Sequence, residues 1–267
     1  MNPFIDHFRH SGYFEYPIVN SLKKDLSKLA EYWRLFYEQP LSEKEKHIFS
    51  DYVGGYEYKG PESLDYKENF HLSLKYKTPE NSTNLVDFAF LTSAKKFISS
   101  SWHMIVPMIE IMDQATDSNM ASLLVEDNFT LRFLHYFPRE GTSLENNFLA
   151  APHIDKGVTI HFYEDHPGLQ VLWGNQWNKV YHNPDNVHGY FGMLGQLYSN
   201  CGFPALCHRV VPTPKTVKYG RTSIVLFIDF GDKIYNKEKF GSTQKVFPNG
   251  ENYNMPIEEF SKYFKKI

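Results

Sequence analysis

The sequence predicts an α+β chain, mainly β, in which antiparallel strands close into a sandwich or barrel against supporting helices. Three observations carry this. Two long stretches of helical period occupy the first 114 residues. The period then changes to short segments rich in Val, Ile, Phe, Tyr and Thr, separated by Gly, Pro and Asn. Aromatic residues make up 16% of the chain, with 22 Phe and 18 Tyr, which suits broad flat contacts in a β core better than a helical bundle.

The elements follow in order. From Asn20, the residues Leu22, Leu26, Leu29, Trp33, Phe36 and Tyr37 recur at spacings of three and four, which predicts an amphipathic helix ended by Pro40. A second short helix is expected from Ser42, with Glu45 reaching back in the S-x-x-E manner. Residues 50–70 hold Gly54, Gly55, Gly60 and Pro61 among tyrosines and read as an irregular loop, either a plain surface loop or a lid over a pocket. Between Ser93 and Gln114 a second helix places Phe97, Ile98, Trp102, Ile105, Ile109 and Met112 on one side, with a kink expected at Pro107. Strands are then expected at 129–137, 158–163, 169–173, 179–182, 188–198, 207–211 and 221–230, with a hairpin turn at Gly174-Asn175-Gln176. No composition break divides the chain, so 1–267 reads as one domain: a mostly helical lead-in over 1–128, a core over 129–230 and an extension over 231–267.

Composition narrows the function. A net charge of -3 with no Lys/Arg run longer than two offers no field for a phosphate backbone or anionic lipid, so neither nucleic acid nor membrane is an expected partner. Residues 1–16 mix charges among apolar residues and lack the apolar core of a leader, and no span approaches a membrane helix. The two cysteines, Cys201 and Cys207, read as free buried thiols of a reduced, cytoplasmic protein. Walker, G-x-G-x-x-G, G-x-S-x-G, H-E-x-x-H and C-x-x-C motifs are absent.

What remains is His153-Ile154-Asp155, followed by Gly157 and, far along the chain, His208. Residues two apart on an extended segment point to the same side, so His153 and Asp155 can approach one ion together. A further imidazole would complete two His and one carboxylate on one face of an octahedral ion, leaving three positions open, as Fe(II) oxygen chemistry requires. Downstream, Arg221 and Ser223 share a face by the same rule. They pair a fork of N–H donors with a hydroxyl, a combination that holds a carboxylate, although a surface ion pair and a turn serine would read the same.

The order of these motifs resembles the isopenicillin-N-synthase-like branch of the 2-oxoglutarate/Fe(II) dioxygenases. LRFLHYFP, APHIDKG, GLQVLWGNQW, YSNCG, CHRVV and RTS are similar, in sequence order, to that family's Arg-bearing strand, P-H-x-D-x-G, G-L-Q-V, S-N-G, H-R-V and R-x-S elements. The resemblance covers residues 129–230 and departs from the family pattern at Leu134, at Met193, at Cys201 inside the S-N-G run, and in a longer stretch with Pro212 and Pro214 before Arg221. It implies a double-stranded β-helix, or jelly roll. It implies His153, Asp155 and His208 as Fe(II) ligands and Arg221 with Ser223 as the grip on the distal carboxylate of the cosubstrate 2-oxoglutarate. Tyr136 falls where the family often adds a hydroxyl to that grip, or it is a core tyrosine.

The activity implied is oxidation of a small-molecule substrate with O2, hydroxylation first and otherwise desaturation or ring closure, while 2-oxoglutarate becomes succinate and CO2. Two other readings stay open: an Fe(II)/O2 oxidase of the same fold that does not use 2-oxoglutarate, and a non-catalytic metal-binding jelly roll. His161 reads as a core residue and Lys156 as a solvated rim charge, each with an alternative role near substrate. Substrate identity and oligomeric state are not legible.

Overall fold

The computed structural model describes residues 2–49, 54–63, 65–139, 148–200, 202–230, 242–246 and 252–256. The chain opens with helix α1 (Pro3–Ser11) and strand β1 (Phe14–Pro17), then helix α2 (Asn20–Tyr37). As the spacing predicts, α2 buries Leu22, Leu26, Leu29, Trp33 and Phe36. Helix α3 (Leu41–Lys44) begins after Pro40 without a side-chain cap, one residue ahead of Ser42, so the Ser42 hydroxyl lies within the first turn and the expected capping box does not form.

Residues 50–70 depart from expectation. Strand β2 (Gly54–Lys59) and strand β3 (Lys67–Leu72) pair antiparallel from Gly54↔Leu72 to Lys59↔Lys67. The glycines that suggest a loop instead permit a strand start in backbone space closed to other residues: Gly54 and Gly55 have φ of 142° and 129°. Tyr56 and Phe70 are buried, and Phe70 meets Phe36 at 5.2 Å between ring centroids, so aromatic packing fixes the hairpin. Residues 50–53 and 64 lie outside the described residues.

Helix α4 (Leu85–Thr116) starts earlier than the periodicity shows, because the Asn84 side chain accepts from the Asp87 backbone N–H at 2.8 Å. It runs without interruption through Pro107. After it come β4 (Phe129–Tyr136), β5 (Ala150–His153), β6 (Val158–Glu164), β7 (Leu169–Trp173), β8 (Gln176–Lys179) and β9 (Asn186–Phe191). Helix α5 (Met193–Tyr198), β10 (His208–Val210), helix α6 (Pro214–Tyr219), β11 (Arg221–Ile228), β12 (Ser242–Val246) and β13 (Asn252–Pro256) follow. The hairpin turn falls at Gly174 and Asn175, with φ of 59° and 60°, and the strand expected at 179–182 sits earlier, at β8. The segment 188–198 is not one strand. It breaks at Gly192 and its second half is α5, because the close approach described below requires glycine there.

The strands form a seven-stranded sheet, ordered β1-β9-β6-β11-β4-β3-β2, and a four-stranded sheet, ordered β5-β10-β7-β8, facing each other in jelly-roll fashion. The lead-in is therefore only partly helical: β1, β2 and β3 supply strands on both flanks of the larger sheet. The outer face of that sheet packs on α2 and α4 through Phe129, Leu131, Phe133, Ile160, Phe162, Ile224, Leu226 and Ile228. Leu134, Tyr136, Tyr190 and Val225 turn inward and meet Leu169, Val171, Val180, Leu206 and Val210 between the sheets. Among the described residues, no helix is long and apolar enough to cross a membrane.

Candidate active site

His153 ends β5 and His208 begins β10, and the two are direct partners in the antiparallel pairing of these strands. Their rings lie 4.2 Å apart between centroids. The Asp155 carboxylate closes the group: its Oδ1 is 3.5 Å from His153 Nε2 and its Oδ2 is 3.6 Å from His208 Nε2. One candidate ligand atom from each residue lies within 4.8 Å of the other two. Each imidazole directs Nδ1 to a backbone carbonyl, His153 to Ala151 at 2.7 Å and His208 to Leu206 at 3.4 Å. That hydrogen bond fixes Nε2 as the free ligand atom, the usual outer support of a metal-bound histidine. His208 is buried while His153 is half exposed, so the group is closed behind and open to one side. Two imidazoles and one carboxylate so held fit a divalent iron that keeps open positions.

The backbone behind Asp155 is held from an element read as strand in the sequence. At the start of α5 the N–H groups of Gly192, Met193 and Leu194 donate to the carbonyls of Gly157, Asp155 and Lys156 at 2.6, 3.0 and 2.7 Å. This contact needs glycine at 192, where a Cβ would come within 2.2 Å of the Asp155 carbonyl oxygen, and the approach of the same turn to β11 needs glycine at 157, where a Cβ would come within 1.9 Å of the Ile228 carbonyl oxygen. The Thr159 hydroxyl donates to Asp155 Oδ2 at 2.6 Å. Burial alone would raise the Asp155 carboxyl, but the neighbouring His208 and His153 rings and the Thr159 hydroxyl overcome it and hold Asp155 well below the usual carboxylate range. Burial, aided by His153, lowers His208 to about 4, so this ring is neutral at pH 7 and able to ligate.

Arg221 and Ser223 share the inner face of β11, as expected, and the guanidinium donates to Ser223 Oγ at 3.2 Å. Arg221 is buried, and its Nε donates to the His166 carbonyl at 3.0 Å. The buried Tyr136 is its register partner on β4, with the ring centroid 5.9 Å from the guanidinium carbon. Sequence reasoning missed one feature here: the guanidinium already holds a carboxylate, that of Glu164, which is as buried as Arg221 itself. Arg221 and Ser223 thus meet at this position with a carboxylate of the chain itself.

Glu164 reaches that position through a β-bulge. Ile224 pairs with Tyr163 and Val225 with His161, so Phe162 is the extra residue, and both His161 and Glu164 point inward. His161 is a buried core residue whose Nε2 meets the Tyr190 hydroxyl at 3.1 Å. It forms with Glu164 and His188 a second group of convergent ligand-type atoms. Tyr190 links the two groups, its ring 4.4 Å from that of His208. Lys156 lies on the rim as read, but paired, with Nζ 2.6 Å from Asp229 Oδ2. Cys207 is buried, and Cys201 lies outside the described residues.

Fold and site together define a class. Residues 128–230 match the model of the 2OG-Fe(II) oxygenase superfamily. A gibberellin 2-beta-dioxygenase 8 of Arabidopsis thaliana is 26% identical over 223 residues, covering 79% of this chain and 63% of that protein. The chain thus spans less than two thirds of the length of the curated relative it matches. Among solved structures, full-length Neurospora crassa T7H in complex with alpha-KG superposes with a TM-score of 0.77 at 17% identity, over 99% of this chain and 89% of that one. JOX2 in complex with 2OG, Fe and JA gives 0.70 at 19% identity, over 98% and 79%. The match to that superfamily's model falls on the residues whose motif order resembles it.

Proposed function

We propose that the chain is a non-haem Fe(II)/2-oxoglutarate-dependent dioxygenase that hydroxylates a small-molecule substrate and turns 2-oxoglutarate into succinate and CO2. The observation that carries this reading is the presentation of two imidazole Nε2 atoms and one ionised carboxylate around a single point, each tied from behind by a hydrogen bond. In this reading His153, Asp155 and His208 hold the metal, and Arg221 with Ser223, beside Tyr136, binds the distal carboxylate of the cosubstrate. A small-molecule substrate, with no nucleic acid or membrane partner, is supported by the charge balance and by a relative that binds JA. One domain over 1–267 is supported by the strands that the lead-in gives to the larger sheet. A cytoplasmic setting is supported by the sparse use of cysteine, two in the whole chain.

Bound iron and cosubstrate would supply the activation of O2, and the residues of the chain supply position and protection. Asp155 stays ionised without needing a base, and His208 stays neutral, so neither has to lose a proton to bind a cation near pH 7. His153 differs. Burial lowers it, but its hydrogen bond to Asp155 and that carboxylate's charge outweigh burial and raise it from the ordinary imidazole value. The Tyr190 ring against His208 and the apolar residues between the sheets shield the inner side from water. The half-exposed His153 side is left for substrate.

The pairing of Arg221 with Glu164 favours one second reading, an Fe(II)/O2 oxidase of the same fold that needs no 2-oxoglutarate. Anaerobic titration of the protein with Fe(II), followed by 2-oxoglutarate, separates the two. The dioxygenase reading expects a visible charge-transfer band on adding 2-oxoglutarate and succinate on admitting air. A protein that binds Fe(II) yet gives neither overturns the dioxygenase reading, and O2 uptake by that protein would then mark the oxidase.

A further inference from the structure

A buried guanidinium that already holds a carboxylate poses a charge problem for a dianionic cosubstrate. Arg221 donates to Glu164, to Ser223 Oγ and to the His166 carbonyl, all inside the barrel. A second carboxylate arriving there would leave one negative charge buried and uncompensated, which costs several kcal/mol in such surroundings. Either the newcomer is refused or Glu164 gives way.

The structure contains a place for Glu164 to go. Among the described residues its Oε1 has no hydrogen-bond partner, nor has Nδ1 of His161 or Nε2 of His188, and all three residues are buried. Buried polar atoms are seldom left unpaired, so three on neighbouring side chains need a common explanation. One ligand-type atom each of His161, Glu164 and His188 lies within 4.8 Å of the others. The two rings stack at 4.8 Å between centroids with an interplanar angle of 16°. Burial keeps both imidazoles neutral, lowering His188 to about 3 and His161 well below its ordinary value. A neutral imidazole can carry its proton on the free nitrogen and donate it to a carboxylate.

We propose that Glu164 is a built-in stand-in for the distal carboxylate of the cosubstrate. It occupies Arg221 in the free protein and turns to the ring nitrogens of His161 and His188 when a 2-oxo dicarboxylate takes its place. Glu164 is thereby a specificity-determining residue that lowers the affinity of the site for the dicarboxylate. The inference rests on the reading of Arg221 as the cosubstrate anchor. Two neutral imidazoles and a carboxylate also form a ligand set for a second divalent cation. The guanidinium on that same carboxylate opposes a further positive charge and makes this the weaker explanation.

The test compares 2-oxoglutarate with 2-oxopentanoate, which chelates a metal identically but carries a methyl group in place of the distal carboxylate. Binding of each to the Mn(II)-loaded full chain is measured by calorimetry without O2, in the wild type and in Glu164→Gln. In the wild type the preference for 2-oxoglutarate is expected to be within about tenfold, because one Arg–carboxylate pair is exchanged for another. In Glu164→Gln it is expected to widen by roughly 10- to 100-fold through tighter 2-oxoglutarate binding, with 2-oxopentanoate unchanged. An unchanged ratio, or weaker 2-oxoglutarate binding in the variant, overturns the proposal. Should the variant not fold, a wild-type preference above about 100-fold overturns it equally, since Arg221 would then be free for the ligand. Uptake of two equivalents of Zn(II), one of them lost in His188→Gln, overturns it in favour of a second cation site. Failure of both compounds to bind the metal-loaded wild type sinks the cosubstrate reading itself, an outcome distinct from equal ratios.

Discussion

On its outer side the seven-stranded sheet presents Phe129, Leu131, Phe133, Ile160, Phe162, Ile224 and Leu226 to the helices. On their inner side the same strands carry Thr159, His161, Glu164, Arg221 and Ser223, all buried. The two faces bury comparable side chains at opposite cost. The outer face gains roughly 1.5–3 kcal/mol for each large apolar side chain taken out of water. The inner face must satisfy ionisable groups that water would otherwise hold, and among the described residues it leaves several nitrogens and an oxygen without partners. Alternation along a strand thus lets one sheet separate the work of holding the chain together from that of holding a ligand. Mutations on the two faces should have separable consequences.

The sharpest way to break the contrast is at the centre of the inner side. Replacing Asp155 by Ala is expected to weaken Fe(II) binding by at least about 100-fold and to abolish turnover, while far-UV circular dichroism stays that of the wild type. Loss of the folded spectrum together with iron would mean that the two faces are not separable. On the outer face the reverse is expected. Phe133 lies 4.8 Å from Phe90 and 5.6 Å from Trp33 between ring centroids, so Phe133→Ala should cost about 3–5 kcal/mol in denaturant unfolding. Metal affinity of the remaining folded fraction should hold within a few-fold.

A smaller effect tests polar burial on the helix side, far from the site. His47 Nε2 lies 2.8 Å from Asp87 Oδ2, and Gln39 and Ser82 also donate to that carboxylate. Burial would raise the Asp87 carboxyl, but these hydrogen bonds and the His47 charge lower it to about 2. A depressed carboxyl contributes stability that is complete above the unfolded Asp value of about 4 and fades as pH falls toward 2. The expected loss is about 2 kcal/mol over that window, and Asp87→Asn should flatten the pH dependence there. Equal acid sensitivity of wild type and variant would assign the loss to other carboxylates.

Much of this was legible in the chain. Apolar residues at spacings of three and four mark α2 and most of α4, because a helix buries one stripe whatever it packs against. Alternation puts His153 with Asp155 and Arg221 with Ser223, because successive side chains of an extended segment turn to opposite faces. Local rules fail where a distant partner decides. Gly54 and Gly55 read as loop but start β2, since Tyr56 and Phe70 find the helical core. Residues 193–198 read as strand but coil into α5, whose first N–H groups meet the carbonyls behind Asp155.

The sequence by itself determined which side chains are available for chemistry and, through a period of two, which neighbours share a face. Tertiary structure alone decided that Glu164 belongs to the site. Strict alternation from His161 would turn Glu164 outward, and only the extra residue at Phe162, fixed by pairing with β11, brings it in against Arg221. A bulge shifts the parity of everything beyond it, and it is set by hydrogen bonds to a strand some sixty residues away, which no local pattern records.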